Sequence, residues 1–99
     1  MTKLDYHPDA ADELTEAYEW YDAIDRVVGE RFKRELERAE ELVGQSPAAW
    51  GRYFHGTQGF RFRSFPVAMV YVVRDQQIIV IAIAHTRRRP GYWRERLAN

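Results

Sequence analysis

The sequence predicts an α+β domain in which an N-terminal strand and a helical hairpin pack on a small antiparallel β-sheet, in the order β-α-α-β-β-β. Three observations carry this. Apolar residues recur at spacings of three and four, twice in succession, between positions 8 and 45. Two unbroken apolar runs rich in β-branched residues, 67–73 and 78–84, are separated by a short polar turn. A length of 99 residues supports one core of helices on a sheet, so residues 1–99 are expected to form a single domain.

Taken in order, Lys3-Leu4-Asp5-Tyr6 alternates and reads as a strand, closed by His7 and Pro8. Pro8 suits the first turn of a helix, where its missing N–H costs nothing, and Asp9, Asp12 and Glu13 follow near the positive end of the helix dipole. Ala10, Leu14, Ala17, Tyr18, Tyr21 and Ile24 mark one face of this first helix, over 8–23, with Trp20 to one side. Asp25-Arg26 makes a short break. Val28, Phe32, Leu36, Ala39 and Val43 define the stripe of a second helix over 27–45, with Gly29 a local blemish and charge pairs Glu30/Arg34 and Arg31/Glu35 on its outer face. Two helices joined so tightly form an antiparallel hairpin.

Ser46-Pro47 ends the hairpin, because the residue before proline leaves the α region. Positions 48–59, with three glycines, read as a surface loop in which His55 is solvated. The run 60–65 alternates, with Phe60 and Phe62 toward the helices and Arg61 and Arg63 away from them. Pro66 separates it from 67–73, the polar turn Arg74-Asp75-Gln76-Gln77 follows, and 78–84 completes a meander. A helical turn is expected over 92–97.

Zero net charge conceals a strong asymmetry. Residues 1–50 carry thirteen acids and six bases, whereas 51–99 carry nine bases, all arginine, and two acids. An acidic helical part and an arginine-only second half suggest phosphate or carboxylate recognition. The absence of cysteine excludes disulfides and thiolate metal sites. No leader pattern opens the chain and no apolar run reaches the roughly 20 residues of a membrane span, so a cytoplasmic protein with no membrane association is expected.

Chemistry concentrates in 85–96, where five arginines, His85, Tyr92 and Trp93 follow the most apolar strand. His85 fits two roles, a general base or a histidine capping the backbone. Arg87 or Arg88 would stabilise developing phosphate charge, and Tyr92 would donate or position a proton. Trp93 reads as an apolar lid that anchors the C-terminus. Arg61 and Arg63 on the open sheet face, with Arg89 and Arg94, would hold RNA on a concave, basic, aromatic-lined surface. The three histidines show no metal-ligand spacing, and no phosphate loop or serine triad is present, so neither metal nor cofactor is expected.

The helical hairpin, Ser46-Pro47, Phe65-Pro66-Val67, Val70-Tyr71 and the final His85-x-Arg87-Arg88-x-Pro90-x-Tyr92-Trp93-x-x-Arg96 together resemble the RelE/ParE toxin superfamily over nearly the whole chain. The resemblance implies the toxin of a type II toxin–antitoxin module, silenced by a cognate antitoxin in a hetero-oligomer. RelE-like members cleave mRNA in the ribosome without metal; ParE-like members inhibit DNA gyrase and have no nuclease site. Arg61 and Arg63 match the basic residues of the RelE pattern on the second strand, and Arg87 or Arg88 and Tyr92 match those near its C-terminus, with Thr86 disturbing the register. The arginine expected on the following strand falls near Ala68, and nothing basic occurs in 67–73. The chain is thus nearer the ParE-like branch.

Three readings follow: an interferase using His85, Arg87, Arg88 and Tyr92, with ribosome-bound mRNA as its target; a non-enzymatic poison of DNA gyrase; or a non-toxic RNA-binding module on the same scaffold. In either toxin reading, an acidic antitoxin tail would fold across the arginines or extend a sheet edge.

Overall fold

The computed structural model describes residues 3–98. Its elements are β1 (Lys3–Tyr6), α1 (Pro8–Ile24), α2 (Arg26–Gln45), β2 (Gln58–Arg61), β3 (Val67–Arg74) and β4 (Gln77–His85). Short 3₁₀ turns occupy Pro47–Ala49, Phe54–Gly56 and Arg94–Ala98. The strands form one sheet in the order β1-β4-β3-β2, and β2, β3 and β4 make the expected meander. β1 runs parallel to β4, so the sheet is mixed at this one join. Apolar patterning fixes which face a strand buries, not the direction of its neighbour.

Local chemistry accounts for the hairpin. Pro8 begins α1, and His7 Nδ1 accepts from the Asp9 N–H at 3.1 Å. The break between helices is the single residue Asp25. Its backbone N–H donates to the Tyr21 carbonyl at the end of α1, while its carboxylate accepts from the Val27 N–H at 2.8 Å to open α2. Gly29 is required here, since a β-carbon would lie 2.8 Å from the Cα of Asp22. The two helices lie in close contact at that point.

The helix-side core gathers around Phe32, whose ring lies 5.3, 5.6 and 5.2 Å from those of Tyr21, Phe62 and Phe65. The opposite face is not open. Val70, Ile81, Ala82 and Ala84 are buried there beneath Trp93, with Tyr53, Tyr92 and Leu97 around them. The expected concave basic face is therefore covered by the chain's own C-terminal segment. Unbroken apolar runs, as opposed to alternating ones, are the mark of strands buried on both faces. Ile24, placed on the buried stripe of α1 by its spacing, is 63% exposed, because the stripe has run past the edge of the sheet.

Candidate functional site

Beyond Tyr6, which pairs with Val80, β1 has ended and β4 continues without that neighbour. Two backbone groups of β4 past this point are taken by side chains. The Ile83 N–H donates to Glu13 Oε1 at 3.1 Å, and the Ile81 carbonyl accepts from Arg96 Nη1 at 3.0 Å. The paired Val70/Ala82 and Tyr71/Val80 leave Ile81 as the extra residue of a bulge, which gives Arg96 its acceptor.

Glu13 and Arg96 meet in a two-pronged pair, with Nη1 2.8 Å from Oε1 and Nη2 3.1 Å from Oε2. The Tyr92 hydroxyl donates to Oε2 at 2.6 Å, and Arg88 Nη1 lies 3.6 Å from the same oxygen. Asp9 adds a second carboxylate 3.7 Å from Arg96 Nε. The guanidinium carbons of Arg88 and Arg96 lie 3.7 and 5.4 Å from the centroid of the Tyr92 ring. Two carboxylates thus balance two guanidiniums, and both oxygens of Glu13 accept two hydrogen bonds each. Burial, then the bond to Glu13, pushes the Tyr92 phenol well above its ordinary value. It is a poor proton donor.

His85 ends β4, and its Nδ1 accepts from the Arg87 N–H at 3.1 Å. That bond leaves the proton of a neutral imidazole on Nε2, so the ring presents a donor instead of a base. His85 and Arg88 line one end of a groove of about 420 Å³ whose walls include Ala17, Trp20, Tyr21 and Val67. Arg87, Arg89 and Arg94 are exposed, and none has a carboxylate within 4.0 Å among the described residues. The proposed catalytic four are therefore close in sequence but divided in chemistry: Arg88 and Tyr92 are tied to α1, His85 to the backbone of Arg87, and the Arg87 guanidinium to no carboxylate among the described residues.

Trp93 is 1% exposed and closes the sheet face. Its ring stacks on Tyr53 at 6.2 Å and meets His55 edge-on at 5.8 Å. His55 is exposed, as its loop suggested, and makes this one edge contact. Gly91 adopts a φ of +86°, and a β-carbon there would lie 2.5 Å from His55 Nε2, so only glycine serves.

Arg61 and Arg63 are exposed at the other end of the sheet, where they share a groove of about 340 Å³ with Arg38, Leu42, Trp50 and Phe60. Arg63 lies beyond β2, in a bend held by Glu35, whose carboxylate accepts from the N–H groups of Arg63 at 2.8 Å and Ser64 at 3.1 Å. Sequence reasoning missed Glu13, Asp9, Arg38 and Glu35. Glu13 carried a partial signal: it shares a face with the apolar Ala17 and Ala10 by helical spacing, where an acid must find a partner.

Residues 4–90 match the family described as the ParE toxin of the type II toxin–antitoxin system parDE. No curated protein is significantly similar in sequence. Among solved structures, a chain from the chromosomal ParDE TA system from P. aeruginosa superposes with a TM-score of 0.71 at 17% identity, covering 88% of this chain and 98% of that one. At that identity the match shows a shared fold.

Proposed function

The chain belongs to the ParE toxin family of type II toxin–antitoxin systems, and from that premise we propose that it arrests growth by binding DNA gyrase, without cleaving RNA, until a cognate antitoxin neutralises it. One observation carries the choice of target. The Tyr92 hydroxyl and the Arg96 fork both close on Glu13, at 2.6 and 2.8 Å, so the proton donor expected of a ribonuclease is already engaged. Arg88 leans on the same carboxylate.

A second feature supports protein binding. Trp20, Ile24 and Val27 at the tip of the hairpin are 69, 63 and 60% exposed. Large apolar side chains gathered at one end of a small domain are the usual material of a protein interface. Among the described residues, no helix is long and apolar enough to cross a membrane.

Induction of the chain in growing bacteria, without antitoxin, tests the proposal. The expected result is SOS induction and gyrase-linked DNA breaks with intact messages. Sharp cuts in translated messages would replace it with the interferase reading, and undisturbed growth would leave the non-toxic module.

A further inference from the structure

The last strand has the composition of a segment that stacks on copies of itself, yet neighbouring strands cover only part of it. Ile78-Ile79-Val80-Ile81-Ala82-Ile83-Ala84 is rich in β-branched residues and holds no charge, no proline and no glycine. Such a run pairs readily with its own kind wherever its edge is bare. On one side β3 pairs with it along its length, apart from the bulge at Ile81. On the other, β1 accompanies it from Gln77 to Val80 only, and among the described residues no strand lies beside 81–84.

Two charged side chains from opposite layers stand there instead. Glu13 comes from α1, on the helix side of the sheet, and Arg96 from the C-terminal segment, on the side of Trp93. They meet across the edge, Nη1 to Oε1 at 2.8 Å. Between them they take the Ile83 N–H at 3.1 Å and the Ile81 carbonyl at 3.0 Å. Each bond replaces one that a neighbouring backbone would make: a carboxylate oxygen serves for a carbonyl, and a guanidinium N–H for an amide. Charge set into an edge keeps other strands away, because a strand that displaced the pair would strip both ions of their partners. The side chains of Tyr92 and Arg88 steady Glu13, but among the described residues neither bonds to the backbone of β4.

We infer that Glu13 and Arg96 form a plug in the place of a missing strand, that this plug keeps the chain monomeric, and that the edge beneath it is a pairing surface for the same edge of a second copy. Symmetry favours a second copy over an unrelated strand. Antiparallel pairing about a two-fold axis through Ile83 sets Ala82 against Ala84 and Ile81 against His85, so no like charges are opposed. Apolar β-branched residues then meet their own kind along the join. The inference does not depend on the target of the chain.

The test uses the full chain, as wild type and as Glu13→Ala/Arg96→Ala, a change that removes both ions together and so strands neither. Sedimentation equilibrium is expected to show a monomeric wild type and a variant that dimerises at least tenfold more tightly. Hydrogen exchange at the Ile83 amide should be fast in the dilute variant and at least tenfold slower where the dimer predominates. Val43→Ala, a core truncation on α2 that leaves the pair intact, controls for lost stability and should stay monomeric. Should the double variant fail to fold, Glu13→Ala and Arg96→Ala carry the same reading singly. A folded variant as monomeric as the wild type overturns the inference. So does a dimer whose Ile83 amide still exchanges fast, or a Val43→Ala chain that associates as tightly as the variant without the plug.

Discussion

Two arginine clusters on one small domain have opposite electrostatic fates. At the C-terminal end, Arg88 and Arg96 are held by Glu13 and Asp9 around a phenol ring, and Arg96 closes a backbone gap in β4. At the β2 edge, Arg38, Arg61 and Arg63 face solvent around an apolar floor. The first cluster holds the chain together and the second leaves charge available. What separates them is the pair of acids that α1 supplies, not the number of arginines.

The comparison breaks most visibly in stability. Trp93 is the keystone of the C-terminal side, and Trp93→Ala should cost about 4 kcal/mol in urea unfolding, as the sheet face beneath it opens. Glu13→Ala comes next. It strands Arg96 and the Tyr92 hydroxyl together, for a loss of about 3 kcal/mol, and a double-mutant cycle with Arg96→Ala should return a coupling of more than about 1 kcal/mol. If the two losses simply add, the pair is not the unit described.

Tyr92→Phe should cost about 1.5 kcal/mol by removing one hydrogen bond to a carboxylate. It also sharpens the picture through pH. Burial first, and Glu13 second, raise the folded phenol above its ordinary 10.0, so its contribution is complete below pH 10 and is lost as pH rises above it. Burial pushes Tyr71 up to about 12, and Tyr6, buried and bonded to Glu40 at 2.7 Å, behaves in the same sense. The chain should therefore unfold in alkali from about pH 10 upward, and Tyr92→Phe should reduce that loss in a series of urea melts. At the β2 edge, by contrast, Arg38→Ala and Arg61→Ala should stay within about 0.5 kcal/mol of the parent in the same melts.

Much of the architecture was legible in the sequence because periodicity and punctuation agree. Pro8, Asp25 and Ser46-Pro47 delimit the helices, and the polar turn at 74–77 closes the β3/β4 hairpin, with Asp75 and Gln76 in the left-handed region at φ 52° and 63°. The boundaries of β2 were less legible: alternation suggested 60–65, whereas Glu35 pulls Arg63 and Ser64 into a bend after Arg61. The candidate site was legible only as a list of residues. Glu13 lies 79 positions from Tyr92 and 83 from Arg96, and no local pattern reveals which arginines such a distant acid will neutralise. The covered sheet face was the more accessible miss, since the unbroken runs of β3 and β4 already demanded burial on both sides.

Growth arrest by Tyr92→Phe, induced at a temperature where melting shows it folded, tests the division between scaffold and surface most directly. With Tyr92 acting only as a tie to Glu13, the variant should arrest growth as fully as the parent, with intact messages. A folded Tyr92→Phe chain that no longer arrests growth, from a parent that cuts messages, would put the phenol in an active site and contradict the account.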